Sequence, residues 1–302
     1  MRAKTRRRLL WSGLVAVVLL LLAAGLGIYQ VRFADPRVRA LADSGSCRAC
    51  DLRRISLWWA DLNAADLRRA DLHGASLWWT TLQRADLRGA DLSAVSLWWT
   101  DLAGADLRGA NLEKAGLGRA ALQGANLKAA NLRETDLTGA DMTGAQLAGA
   151  DLEWANMIQA ILNQADLRDA RMTQVNLFRA KLDGADLRRA DLSSASVTGS
   201  TLLGAKLAGA DLSGANFSEA DLGGADLRGA KLVGTQLPTV NLRAADLRGA
   251  DLTEAQLWRA DLRGADLRDA DLGVALMSDT RLDGARLCRT KTPWGEDNSG
   301  CE

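Results

Sequence analysis

The chain has 302 residues and a formal net charge of +1, and its apolar content is dominated by Leu and Ala, with one Tyr and three Phe. Such a composition does not suit a conventional core of mixed aromatic and β-branched residues. Residues 1–50 carry nine Lys/Arg and two Asp, which leaves residues 51–302 with a net charge of about −6 by subtraction. The basic N-terminal end and the mildly acidic body are therefore different parts of the molecule.

The N-terminal end has the pattern of a membrane anchor. Five cations lie in residues 2–8, and residues 9–28 contain no charged side chain. A helix of this length, at about 1.5 Å per residue, spans roughly 30 Å, which is the hydrocarbon thickness of a bilayer. Because no A-x-A-like cleavage site is evident, the pattern favours an uncleaved anchor over a cleaved signal peptide.

The distribution of cations predicts the orientation of this anchor. Five precede the apolar stretch and three follow it closely, so the positive-inside rule places the N-terminus in the cytoplasm and the body in the periplasm or a lumen. We predict a basic cytoplasmic tail at 1–8, a transmembrane signal anchor of a single-pass inner-membrane protein at 9–29, and a juxtamembrane linker with an N-terminal cap at 30–49. Within the linker, Asp35-Pro36 predicts the start of a short helix.

From Cys50 onward the chain consists of five-residue units such as ADLRR, ADLHG and ANLEK. Stepping by five from Leu52 to Leu287 gives 48 pentads, with Leu at 42 of the centres and Ala two residues earlier in 37. We name the five positions inner (mostly Ala), outer (Asp or Asn), centre (Leu), first corner and second corner. A fixed spacing over this length indicates one continuous repeat architecture.

A period of five matches neither a helix at 3.6 nor a long strand at 2. It predicts a short extended piece, with the inner and centre residues pointing inward and the outer residue pointing outward, followed by a turn. Gly occupies the second corner in 19 of the 48 pentads, which is typical of a type II turn whose third residue needs a positive φ.

These pentads resemble the A(D/N)LXX motif of the pentapeptide-repeat family over the range 50–287. The resemblance implies an all-β fold, a right-handed quadrilateral β-helix with four pentads per coil. A longer repeat, in which each pentad resembles the fourth pentad after it, is visible when 71–90 is compared with 91–110, and it supports four pentads per coil. Twelve coils stacked at about 4.8 Å give a rod of roughly 55–60 Å.

The motif SLWW occurs three times at intervals of four pentads, and residues separated by this interval lie above one another in such a coil. The six tryptophans therefore form two corner columns. We call the first-corner tryptophans the inner column (Trp58, Trp78, Trp98) and the second-corner tryptophans the outer column (Trp59, Trp79, Trp99); these names do not refer to the inner and outer positions of a pentad. Four interpretations of this candidate binding surface stay open. They are stacking after duplication of a four-pentad unit, cover by residues 32–49, contact with a membrane interface, and binding of a protein or sugar chain.

The fourth face carries columns of opposite charge. Basic side chains recur at Arg68, Arg88, Arg108 and onward, and acidic ones at Asp66, Asp86, Asp106 and onward. A cationic stripe for phosphates or anionic lipid is one interpretation. Mutual neutralisation is favoured, because an Asp column with a spacing under about 5 Å repels itself and an adjacent Arg column relieves that repulsion.

Cysteine occurs only near the two ends of the repeat, at Cys47, Cys50, Cys288 and Cys301. The surrounding stretches, SCRACDLRRISL and RLCRTKTPWGEDNSGC, resemble the caps of exported members of the family. This membrane-anchored or exported subtype implies a C-terminal cap at 288–302 and, in an oxidising compartment, disulfides Cys47–Cys50 and Cys288–Cys301. A zinc site is less favoured because its four ligands must lie together, and a redox CxxC lacks the usual βαβ context.

Nothing in the sequence indicates an enzyme, a cofactor or a metal site. The single histidine, His73, is a first-corner residue, and a narrow filled coil offers no cleft to a small-molecule substrate. The many Asp residues form surface ladders, whereas acid–base catalysis needs a pair with separated pKa values. The sequence therefore predicts a non-enzymatic, membrane-tethered rod that acts as a scaffold or protein-interaction module. Its partners are the membrane and an unidentified protein, and nucleic acid is disfavoured.

Two alternative functions remain. The best-understood members of the family resemble DNA and bind gyrase or topoisomerase, but the Arg columns, the anchor and the small net charge of this chain disfavour that activity. The other alternative is a glycan- or membrane-surface-binding module that uses the tryptophan columns.

Overall fold

The computed structural model of the protein describes residues 35–301. The predicted anchor at 9–29 lies outside these residues, and among the residues described no helix is long and apolar enough to cross a bilayer. The chain divides into two compact units, Met1–Gly45 and Ser46–Glu302, and each is described by itself.

The described part of the first unit is one helix, α1 (Pro36–Ser44). Asp35 is its N-cap, and its Oδ1 accepts the Arg37 backbone N–H at 2.9 Å, while Pro36 occupies the first turn, where its missing N–H costs nothing. At the other end Gly45 adopts φ 61° and donates its N–H to the Leu41 carbonyl at 2.9 Å. The helix start predicted at Asp35-Pro36 is confirmed.

The second unit is a coil in which each pentad forms a parallel bridge with the fourth pentad after it. The bridges run without interruption from Ser46–Asp66 to Asp271–Lys291. This spacing corresponds to four pentads per coil, so the predicted β-helix is confirmed; its right-handed sense still rests on the family resemblance.

The coil begins earlier than the repeat pattern indicates. The N–H groups of Cys47 and Ala49 donate to carbonyls of the next coil at 2.8 and 2.9 Å, in the same pattern as the pentads that follow them. The β-helix therefore starts at Ser46, before the predicted boundary at 50, although Gly45 and Cys47 stand at the inner and centre positions where the motif has Ala and Leu.

The core is filled by the inward-pointing centre and inner side chains of all four faces. Every centre residue from Leu67 to Leu272 is at most 1% exposed. Five inner positions hold Thr in place of Ala, and four of these residues are buried. Each of the five hydroxyls donates to a centre carbonyl of the previous coil, as Thr80 does to Leu57 at 2.7 Å. The hydroxyls therefore fit the core because each meets a carbonyl that has a free lone pair.

Within one pentad, all five backbone N–H groups have a hydrogen-bond acceptor. In residues 91–95, four of them donate to backbone carbonyls at 2.7–3.2 Å, within the turn or in a neighbouring coil. The fifth, on Ser93, donates to Asp91 Oδ1 at 3.0 Å. The same bond recurs in many pentads whose outer residue is Asp or Asn, which explains the preference for these residues: their side chains form an Asx turn.

The corners require a left-handed residue. A positive φ is found at 47 of the 48 second corners, 19 of them Gly and 28 other residues. The exception is Val274, whose β-branched side chain disfavours that conformation. At the same corner, the Glu254 N–H lacks the bond to the next coil that its equivalents form with a first-corner carbonyl.

The C-terminal cap is a hairpin that the sequence did not predict. Strands β1 (Thr290–Thr292) and β2 (Gly295–Asp297) pair antiparallel, and the Lys291 carbonyl accepts the Leu272 N–H of the last coil at 2.7 Å. The remaining faces of this coil are less covered, because Met277 and Leu282 are half-buried although their equivalents in earlier coils are completely buried.

Candidate interaction surface

The two tryptophan columns occupy the predicted corner and make an ordered stack. Trp58 and Trp78 lie 5.6 Å apart with ring planes 14° from parallel, and Trp59 and Trp79 lie 5.5 Å apart at 12°. Within each pair of neighbours the rings meet edge to face, at 6.2 Å and 86° for Trp58–Trp59. Because the rings stack along the coil axis, their faces contact one another and their edges point outward.

Exposure differs between the columns. The inner column is half-buried, whereas Trp59, Trp79 and Trp99 of the outer column are 50%, 42% and 47% exposed. The outer column occupies second corners, with φ of 54°, 53° and 60°. Bulky residues rarely adopt this conformation, and other second corners of the coil use Gly at no such cost, so the fold itself does not require tryptophan here.

The serine of SLWW has a defined role that the sequence pattern did not reveal. The indole Nε1–H of Trp58 donates to Ser76 Oγ, and that of Trp78 donates to Ser96 Oγ, one coil further on. Each serine therefore fixes the tryptophan of the preceding coil and satisfies its half-buried donor.

The stack ends at the third coil, where the sequence changes from SLWW to GLGR. A Cβ on Gly116 would lie 2.7 Å from Trp98 Nε1, and a Cβ on Gly118 would overlap three atoms of the same ring. Trp98 therefore lies across both glycines and buries Gly118. Stacking, one of the four interpretations left open above, is present for Trp58–Trp78 and Trp59–Trp79 but not for Trp98, because the missing side chains leave room for that ring to lie against the backbone.

Above the outer column lies a shallow depression. The Arg119 guanidinium carbon stands 4.9 Å from the centre of the Trp99 ring, within cation–π range. Trp99, Arg119, Thr138, Gly139 and Gln159 line an open space of about 370 Å³. The gap exists because Gly139 has no side chain between Arg119 and Gln159, and it marks the upper limit of the aromatic surface.

Unpaired cations flank the tryptophan columns on both sides. Arg54 and Arg84 occupy the second corners adjacent to the tryptophan corner, and their stems lie against Gly74 and Gly104 of the next coils. Neither these two nor Arg119 forms an ion pair with a carboxylate in the described part of the chain. An exposed aromatic surface bordered by free guanidinium groups is therefore the most distinctive feature of the coil surface.

The charged columns of the fourth face are paired internally. Arg68, Arg88 and Arg108 each bind the outer Asp of their own pentad through two nitrogens, at 2.6–2.9 Å. Arg68 and Arg88 also approach the Asp of the next coil, at 3.4 and 3.7 Å. The same pairing recurs at Arg168, Arg188, Arg228, Arg248 and Arg268.

This pairing lowers the pKa of the acidic groups. Hydrogen bonds from Arg88 and Arg108 lower the pKa of Asp86 and Asp106, and those from Arg68 lower the pKa of Asp66. The carboxylates thus stay ionised beside their arginines, and the face is neutralised rather than cationic. The favoured interpretation of these columns agrees with this geometry.

His73 is an exposed first-corner residue. Its Nδ1 lies 2.9 Å from Ser93 Oγ on the exposed surface, one coil further on in the same column. Among the residues that the structure describes, no cluster of three or more His, Cys, Asp or Glu could hold a metal ion.

Both predicted disulfides are formed in the structure. Cys47 is bonded to Cys50 with Cα atoms 5.5 Å apart, and Cys288 is bonded to Cys301 with Cα atoms 4.6 Å apart. The first closes the initial pentad, and the second joins the last pentad to the residues that follow the hairpin. Each thus lies at one end of the β-helix.

Comparison with known proteins identifies relatives of the repeat. The sequence profile described as "Pentapeptide repeats" matches in eight copies, at residues 50–89, 90–128, 125–164, 150–189, 170–207, 205–243, 241–279 and 256–291. No curated protein sequence matches the chain.

Several solved structures are similar. HetL, a pentapeptide repeat protein involved in heterocyst differentiation regulation from the cyanobacterium Nostoc sp. strain PCC 7120, is 37% identical over 80% of this chain and 95% of HetL, with a TM-score of 0.32. Rfr23 from the cyanobacterium Cyanothece 51142 is 27% identical over 49% of this chain and 91% of its own, with a TM-score of 0.20. QnrB1, a plasmid-mediated fluoroquinolone resistance protein, is 19% identical over 79% and 89%, with a TM-score of 0.29.

Proposed function

Because the chain belongs to the pentapeptide-repeat family, we propose that it is a non-enzymatic scaffold, tethered to a membrane by residues 9–29, whose β-helix presents an interaction surface outside the cytoplasm. The observation that carries the proposal is the unbroken coil from Ser46 to Lys291 with its filled core. Such a rod fixes surface residues at regular spacings and has no enclosed cleft among the described residues in which chemistry would be shielded from water.

The positions of the cysteines support export of the coil. All four lie at its ends and are paired there. Structural disulfides persist in oxidising compartments and are rare in the cytosol, which agrees with the charge bias around 9–29.

The charged columns support a protein or membrane partner over the gyrase alternative. A DNA-like rod needs a continuous acidic face, whereas the Asp column of the fourth face is neutralised by bidentate arginines. The similarity to QnrB1 concerns the fold alone, at 19% identity.

The proposal is tested by determining on which side of the membrane the C-terminus of the chain lies. Alkaline phosphatase and a fluorescent protein that folds only in the cytoplasm are fused, separately, after Glu302, and thiol blocking is measured in extracts made with an alkylating agent. We expect active phosphatase, a dark fluorescent fusion and four cysteines that react only after reduction.

A fluorescent C-terminal fusion with free thiols would contradict both the tether orientation and the export of the coil. Inhibition of gyrase supercoiling by the purified chain would then be the decisive assay. A phosphatase-active chain that carbonate extracts from membranes would retain export but remove the tether.

A further inference from the structure

We propose that the outer tryptophan column is a lipid contact: Trp59, Trp79 and Trp99 insert their ring edges into the headgroup region of the bilayer that holds residues 9–29, with Arg54, Arg84 and Arg119 at the lipid phosphates. This inference rests on the proposed tether and adds a second, independent membrane contact made by the coil itself. It would turn one corner of the first coils toward the membrane.

The rings of the outer column expose their edges more than their faces. In the stack, one face of Trp79 is covered by Trp59 at 5.5 Å, and one face of Trp99 lies beneath Arg119 at 4.9 Å. A sugar ring would need an open aromatic face on which to stack, and these contacts restrict the faces. Exposed ring edges, in contrast, suit the interfacial region, where tryptophan is enriched because one part of the ring is apolar and another polar.

The side chains around the outer column leave the tryptophan corner of the first coils largely apolar. The half-buried donors of Trp58 and Trp78 are satisfied by serines, so these two rings present apolar atoms rather than unmet N–H groups. The three second corners above Trp99 are polar or Gly (Arg119, Gly139, Gln159), so the outer column of tryptophans ends at the third coil.

Three arginines without carboxylate partners among the described residues surround the outer column. Arg54 and Arg84 lie one corner away on either side and Arg119 lies one coil above, and none of them has a carboxylate partner in the described residues. Arginine binds phosphate in a bidentate manner, and basic side chains beside an anionic bilayer strengthen association. The paired arginines of the fourth face, on the opposite side of the coil, are not available in this way.

The segment between the predicted anchor and the coil is short. Only residues 30–45 separate the predicted anchor from the coil, and nine of them form α1. Extended residues cover at most about 3.6 Å each and helical ones about 1.5 Å, so this connection spans at most roughly 40 Å. The first coils are thus held near the bilayer, and they are the coils that carry the tryptophans.

The test uses the full chain reconstituted in vesicles of phosphatidylcholine and phosphatidylglycerol that carry bromine at shallow acyl positions, which quenches nearby tryptophan emission. Trp11→Phe is included throughout so that the anchor itself does not report. The test variant is Trp59→Ser with Trp79→Ser and Trp99→Ser. The matched control is Trp154→Ser with Trp258→Ser, two tryptophans of similar exposure (51% and 45%) elsewhere on the coil. Serine is accepted at a second corner, as Ser194 shows with φ 58°.

We expect the brominated lipid to quench the parent and the control variant at least twofold more strongly than the test variant. A second variant, Arg54→Gln with Arg84→Gln and Arg119→Gln, should show in the mixed vesicles the weaker quenching that the parent shows when phosphatidylglycerol is left out. Unchanged thermal melting of each variant, followed by circular dichroism, shows that the coil is folded.

Each failure has its own signature. If the chain stays with the vesicles after carbonate treatment but its tryptophans are quenched only by aqueous acrylamide, the tether stands and the lipid contact is overturned. Equal lipid quenching of the test and control variants would also overturn it. If carbonate releases the chain, the tether fails first, and the inference fails with it.

Discussion

At the scale of single residues, the outer Asp or Asn has a backbone role as well as a place on the surface. Its side chain accepts the first-corner N–H, the one donor of the pentad that meets no backbone carbonyl in the turn or in a neighbouring coil. An alanine at this position would leave that donor to water at the expense of the Asx turn.

We predict that Asp251→Ala lowers the free energy of unfolding by about 1 kcal/mol, because Asp251 Oδ1 accepts the Thr253 N–H at 3.0 Å and the Thr253 hydroxyl at 2.6 Å. Asp251→Asn, which retains the acceptor, is the control and should stay within about 0.5 kcal/mol of the native chain. Urea denaturation measures both, and equal losses for the two variants would show that charge rather than the turn matters.

Val274 is the residue that fits its corner least. Asn tolerates a positive φ better than a β-branched residue does and avoids the unfolded-state entropy of Gly. We therefore expect Val274→Asn to stabilise the chain by about 0.5–1 kcal/mol and to restore the Glu254 N–H bond.

The matched opposite change is Gly264→Val, at a second corner with φ +69° where a Cβ would have no neighbour within 4 Å. It should destabilise by about 1–3 kcal/mol from backbone strain alone. Denaturation midpoints decide the case, and a destabilising Val274→Asn would show that the unusual corner is needed at that site.

The ion pairs give the coil a defined acid response. Hydrogen bonds from Arg263, at 2.8 and 2.5 Å, lower the pKa of Asp261 from 3.8 to about 2. A carboxyl whose pKa is depressed in the folded state stabilises fully above its unfolded value, near 4, and the contribution is lost as the pH falls through about 2.

We expect Arg263→Gln to be less stable than the native chain at pH 6 and to lose less stability between pH 4 and pH 2. The control is Arg243→Gln, since Arg243 lies 3.9 Å from the same carboxylate and forms no hydrogen bond with it. Denaturation midpoints at pH 6, 4 and 2 test this, and a difference that is constant with pH would disprove the linkage.

At the scale of elements, the end of the tryptophan stack is set by two glycines in the following coil. Trp98 uses the space above Gly116 and Gly118, so aromatic ring and missing side chains form one packing unit. This arrangement predicts strong coupling between positions 98 and 118, which lie in successive coils.

A double-mutant cycle measures that coupling. Gly118→Ala should cost about 1–3 kcal/mol when Trp98 is present, because the new methyl group overlaps the ring. The same change in a Trp98→Ala background should be close to neutral. Equal costs in both backgrounds would mean that the backbone of Gly118, rather than its contact with Trp98, requires glycine.

The elements differ in how far the sequence predicts them. The pentad spacing predicts a turn every five residues, and Asp35-Pro36 predicts the start of α1, because each depends on local turn and cap chemistry. Four pentads per coil are implied by the family resemblance and supported by the longer four-pentad repeat. The path of Trp98 depends on what the next coil lacks, and the hairpin of β1 and β2 has no repeat to mark it. The start of the coil at Ser46 depends on hydrogen bonds to the second coil, which no local pattern reveals.

At the scale of the β-helix, opposite faces have different electrostatic character. The fourth face is an alternating Arg–Asp ladder that needs no external counter-charge, whereas the tryptophan corner combines apolar ring edges with unpaired arginines. A contact surface on one side and a neutral surface on the other suit a rod that lies or leans against a partner along one edge. The sequence identified both sets of columns, but only the side-chain geometry distinguishes the paired arginines from the unpaired ones.

The strict bridge spacing of four pentads gives the molecule a rotational phase. Removing one whole coil from the middle, such as 151–170, would shorten the β-helix by one level and leave every column above the cut aligned with the columns below. Removing a single pentad would instead turn everything above the cut by a quarter turn, so that the arginine ladder of the upper coils would stand over a different face of the lower ones. Length and facing direction are therefore separate quantities in this chain, the first changed in steps of one coil and the second in steps of one pentad.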